Sequence, residues 1–75
     1  MTLVELRERV ETAKPLVEQE LSSGPKKVRE TMEDILEQDL DQSMTYSQVR
    51  LAIFDLLTEG KIVMEKNGDL ATRTP

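Results

Sequence analysis

The 75-residue chain has no cysteine and no histidine. Without thiols there is no disulfide framework, thiolate metal site or cysteine nucleophile, and without imidazole the Ser-His-Asp relay, haem ligation and most proton transfer near neutral pH are excluded. Tryptophan is missing too, and the aromatics are one Tyr and one Phe, so a core must be built from Leu, Val, Ile and Met. No stretch approaches the roughly 18 apolar residues of a membrane span. The opening MTLVELRERVE also lacks the uninterrupted apolar run of a secretory signal. The expected setting is therefore cytoplasmic, without a membrane partner. A Gly-rich phosphate loop is lacking as well, since SSGPKK is not a G-x-x-x-x-G-K-[ST] motif, and Ser22, Ser23, Ser43 and Ser47 have no base nearby. The expectation is a protein that is not an enzyme and holds no metal, cofactor or small-molecule substrate.

What is present is a balance of 37% hydrophobic and 33% charged residues, which indicates a globular fold read as one domain over residues 1–75. Thr2 with Glu5 forms an S/T-x-x-E start, and Leu3, Leu6, Val10, Ala13 and Val17 follow at helical spacing, with Glu5, Arg7, Glu8, Glu11 and Lys14 mostly off the stripe. Pro15 predicts a kink near 12–14, or two short helices meeting there. Ser22-Ser23-Gly24 ends that element. Pro25 suits a first helical position, so a second helix is predicted from there, burying Val28, Met32, Ile35, Leu36 and Leu40. Thr45 and Gln48 make a second capping box for a helix from Tyr46 to Glu59, closed by Gly60. Its core stripe is Val49, Ala52, Ile53, Leu56 and Leu57, which leaves Leu51 and Phe54 on a band that one amphipathic helix would leave wet.

KIVMEKNGDLATR, residues 61–73, reads as a β-hairpin. A three-residue loop, Lys66-Asn67-Gly68, sets Met64 opposite Leu70 and Ile62 opposite Thr72, gathering Ile62, Met64 and Leu70 on one side. Because an isolated hairpin is barely stable in water, that side must lie on the helices. The expected fold is α+β, three helices followed by a C-terminal hairpin, with Ser43-Met44-Thr45 as a candidate third strand.

From Thr45 onward, TYSQVRLAIFDLLTEGKIVMEKNGDL resembles the winged helix-turn-helix family: a capped helix, paired leucines, Glu-Gly, strand, turn, strand. The resemblance covers roughly the last 30 residues. It departs from the family pattern in a longer second helix and an acidic linker. It implies a third helix in the major groove of DNA, with Ser47, Gln48 and Arg50 as base readers beside Leu51 and Phe54, and a wing touching phosphate through Lys66 and Arg73.

Charge bears on that implication. The net charge is −5, with three cations against five carboxylates in residues 1–23, three against six in 24–44, and four against four in 45–75. Lys26, Lys27 and Arg29 gather where the second helix is predicted to begin, and free N–H groups there favour an anion, which makes them candidate phosphate contacts. Four to six such contacts would give a salt slope of about −4 to −5. A chain this acidic would bind DNA weakly alone, so a homodimer is expected, with the leucine–valine stripe of the first helix as its seam. The primary expectation is thus a small DNA-binding transcriptional regulator or accessory factor. The competing one is a protein-interaction module whose contact is Leu51 and Phe54, with an acidic face that a basic partner could read as a phosphate mimic.

Overall fold

A computed structural model describes residues 2–38 and 44–73 of the chain. The element order is α1 (Leu3–Leu21), β1 (Lys26–Lys27), α2 (Val28–Gln38), α3 (Tyr46–Glu59), β2 (Ile62–Met64) and β3 (Asp69–Thr72). Three helices thus combine with a small antiparallel sheet of order β1-β3-β2.

Helix α1 starts where expected, with the Thr2 hydroxyl accepting from the Glu5 N–H at 3.2 Å. It then runs unbroken through Pro15, so the alternative of two short helices does not occur. Val10 and Ala13 before the proline and Val17 and Leu21 after it are all buried, and this anchorage on both sides carries the helix across the missing N–H. Lys14 departs from the expectation of an outward residue. It stands four residues after Val10 and three before Val17, on the buried face, and its side chain is only 10% exposed. Its aliphatic stem lies in the core and its ammonium reaches Glu59 at 2.6 Å, Glu11 at 2.9 Å and Asp55 at 3.7 Å, joining α1 to α3.

The second helix begins at Val28, not Pro25. Proline suits an extended edge as well as a first helical turn, and here Lys26 and Lys27 pair with Leu70 and Asp69 of β3. The third strand is therefore Lys26–Lys27. Met44 and Thr45, proposed for that place, are not in a strand, and Ser43 lies outside the described residues, as does Leu40 of the predicted α2 stripe. At the junction the Thr31 hydroxyl, fully buried, donates to the Lys27 carbonyl at 3.0 Å.

Helix α3 carries the predicted capping box, with Thr45 N–H donating to Gln48 Oε1 at 2.7 Å and Gln48 N–H to Thr45 Oγ1 at 3.3 Å. It closes at Gly60, whose φ of 75° is left-handed and lets Lys61 N–H reach the Leu56 carbonyl at 3.0 Å. A Cβ there would also sit 2.9 Å from an Arg73 guanidinium nitrogen.

The hairpin adopts the register that side-chain facing selects: Ile62 opposite Thr72, Val63 opposite Ala71, Met64 opposite Leu70. Gly68, at φ 90°, closes the loop by donating to the Glu65 carbonyl at 2.9 Å. Ile62 and Leu70 are sealed against the helices. They complete a core formed by Val10, Ala13, Val17 and Leu21 of α1, Met32 and Ile35 of α2, and Val49, Ala52, Ile53 and Leu56 of α3. Among the described residues no helix is long and apolar enough to cross a membrane.

Candidate functional site

The buried stripe of α3 fixes what its opposite side offers. With Val49, Ala52, Ile53 and Leu56 turned inward, Ser47, Arg50, Leu51, Phe54 and Thr58 are exposed along one outward ridge. Leu51 is 41% exposed and Phe54 is 52% exposed, so the wet Leu-Phe band read from helical spacing is present. Arg50 turns back along the ridge, its guanidinium carbon 5.6 Å from the centre of the Phe54 ring, a cation–π contact one turn apart.

Two apolar recesses flank the ridge. On one side Phe54 and Arg50 rim a hollow of about 250 Å³ walled by Val28 and Met32 of α2, Ile53 and Leu57 of α3, and Met64 of β2. Met64 shares the hairpin side of Ile62 and Leu70 but extends past the helix packing, remains 53% exposed, and forms the far wall. On the other side Leu51 and Asp55 face the first turns of α1, where Leu3, Val4, Leu6, Arg7 and Val10 complete a hollow of about 360 Å³.

The residues expected to read bases do not remain together. Gln48 is 1% exposed and its carbonyl oxygen is committed to the cap, so it turns into the protein and presents nothing to a groove. The capping-box geometry carries that outcome in the sequence itself, because N3 must fold back over the first turn. Ser47 and Arg50 stay on the surface, and Arg50 is held against Phe54.

The expected phosphate contacts scatter similarly. Lys26 sits in β1, two residues before α2 begins, and its ammonium is taken up by Glu20 at 2.7 Å and Asp34 at 3.3 Å. The hydrogen bond from Lys26, then that from Gln38, holds the Glu20 carboxyl below its usual range, and Glu20 in turn raises Lys26. Arg29, in the first turn of α2, pairs with Glu33 at 3.1 Å. Lys27 lies on the strand opposite Asp69. Lys66 is at the hairpin tip, and Arg73 folds back over the α3 terminus to donate to the Gly60 carbonyl at 3.5 Å. These five side chains fall in three places, the junction of β1 with α2, the hairpin tip and the end of α3, and Lys26 and Arg29 are already bound to carboxylates.

Sequence reasoning missed the walls of the recess beside Phe54. Val28 and Met32 read as core from helical spacing, whereas Leu3 belongs to the α1 stripe expected as a dimer seam, and there Leu3 is 85% exposed and Val4 67% exposed. The run of Leu3, Val4, Leu6 and Val10 signals more apolar surface than one helix neighbour can cover at a terminus. No protein-family model, no curated protein and no solved structure matches this chain.

Proposed function

We propose that this chain is a protein-interaction module of winged-helix layout, and that it docks a segment of another protein on the outward ridge of α3 at the recess beside Phe54. The observation that supports this reading is the partly exposed Phe54 standing over a hollow walled by Val28, Met32, Leu57 and Met64. Its volume of about 250 Å³ falls below the roughly 300–1,000 Å³ common for small-molecule sites, and it suits one large side chain. Two methionines in the wall adapt to anchors of differing shape. Arg50 at the rim supplies a donor, so the favoured ligand is a peptide segment with one large aliphatic or aromatic anchor and a carboxylate nearby.

The nucleic-acid reading has less support. Major-groove readout needs polar side chains along the helix facing DNA, and here the ridge of Ser47, Arg50, Leu51, Phe54 and Thr58 has Leu51 and Phe54 at its middle, with Gln48 buried. Phosphate affinity needs clustered free cations, and Lys26 and Arg29 are already paired.

Selection of a displayed random-peptide library on the full-length chain tests the docking reading. Enriched peptides are expected to share a large apolar residue near an acidic one, and to lose binding to Phe54→Ser and Met64→Ser chains that fold normally. Absence of enrichment, or peptides indifferent to both substitutions, would overturn it.

A further inference from the structure

We infer that the second recess, between the first turns of α1 and the Leu51 side of α3, is the interface through which two copies of this chain pair about a two-fold axis. This inference stands apart from the docking reading, since it uses the opposite flank of the α3 ridge. The patch contains both parts that an isologous contact requires, because the same surface must serve as knob and as hole. The knobs are Leu3, 85% exposed, and Val4, 67% exposed, projecting from the start of α1. The hole, about 360 Å³, has Leu3 and Val4 in its own wall, together with Leu6, Val10 and Leu51. A two-fold rotation brings the knobs of each copy over the hole of the other.

Charge supports the same occupant. Arg7 and Asp55 stand on the rim of this one hollow. Among the described residues Arg7 has no ion-pair partner, and Asp55 has only Lys14 at 3.7 Å. One positive and one negative rim group on a self-paired patch place Arg7 of each copy against Asp55 of the other, twice per interface. A chain of net charge −5 would otherwise repel its own kind, but this patch contributes one charge of each sign. A standard interface removes about 800 Å² per partner, roughly 15% of the 5320 Å² accessible surface, within what one face of this small body can supply.

Sedimentation equilibrium of the full chain at high micromolar concentration tests the pairing, with a charge exchange as its sharper arm. The wild type is expected at twice 8.6 kDa. Leu3→Ser/Val4→Ser, Arg7→Asp and Asp55→Arg should each weaken self-association by about tenfold or more, while keeping the helical circular dichroism of the parent. Mixing Arg7→Asp with Asp55→Arg chains in equal amounts should restore the paired species, because both cross-interface contacts then become attractive again. Phe54→Ser should leave the mass unchanged. A monomeric wild type, reversals that still pair, a mixture that stays monomeric, or loss of pairing with Phe54→Ser would each overturn the assignment. If Asp55→Arg unfolds through its contact with Lys14, the Leu3→Ser/Val4→Ser and Arg7→Asp chains decide the matter alone.

Discussion

Leu70 and Met64 face each other across the hairpin on the same side of the sheet, yet Leu70 is fully buried and Met64 is 53% exposed. Replacing each by alanine removes a similar volume from neighbouring places with opposite expected consequences. For Leu70→Ala, three buried carbons at about 0.8 kcal/mol each give roughly 2.4 kcal/mol of lost transfer energy. The cavity left between hairpin and helices adds to that, so a loss of about 3 kcal/mol is expected, inside the ~2–5 kcal/mol seen for such truncations. For Met64→Ala the wall of an open recess is shaved and no sealed cavity forms, so the loss should be about 1 kcal/mol or less. Against a total stability of about 4–11 kcal/mol for a chain of this length, the first change is severe and the second minor. Thermal melts followed by circular dichroism at the helical minimum should show Leu70→Ala falling by about 12–24 °C and Met64→Ala by no more than about 8 °C. Equal drops for the two variants would refute the placement of the hairpin, and with it the recess that Met64 walls.

Thr45→Ala removes the hydroxyl that caps α3 and should cost about 1 kcal/mol in urea unfolding, whereas Thr45→Ser should be nearly silent. Gly60→Ala forces a side chain into a left-handed position and against the Arg73 guanidinium, so a loss of about 1–2 kcal/mol is expected, of which Arg73→Ala in the same chain should return only the contact part. Stability should also depend on pH at both ends. The Lys14 hydrogen bond holds Glu59 below the usual carboxylate range, as Lys26 does Glu20, so that stabilisation is present above the ordinary carboxylate range and is lost as pH falls through the depressed values. Lys14, raised chiefly by Glu11 and then Glu59, and Lys26, raised by Glu20, contribute stabilisation that persists through neutral pH and is lost only as alkaline pH passes their raised values. Melting temperature against pH should therefore show a plateau with an acid limb, and Glu59→Gln should flatten that limb; an unchanged limb would count against the Lys14 clasp.

Local signals made much of this fold legible. The Thr45/Gln48 box, Gly60 and the Asn67-Gly68 loop each specify backbone geometry within four residues, and side-chain facing chose the hairpin register. What escaped the sequence depended on distant partners. Lys26 and Lys27 look like a helix start by their own neighbours, and only the unpaired edge of β3, more than 40 residues away, makes them a strand. Lys14 reads as a surface cation until Glu59 is brought beside it. The candidate site divided in the same way: Leu51 and Phe54 were recognisable from helical period alone, but the hollows beside them are assembled from α1, α2 and β2, whose relative placement no local pattern encodes.

Titrating the full-length chain with mixed-sequence duplex at low salt, and repeating it with an anchor peptide obtained by selection, measures directly what the ridge of α3 is for. The account predicts no duplex complex up to high micromolar protein, and a peptide complex that Phe54→Ser abolishes. A duplex complex that weakens with a logarithmic salt slope of about −4 to −5 and survives Phe54→Ser would contradict it.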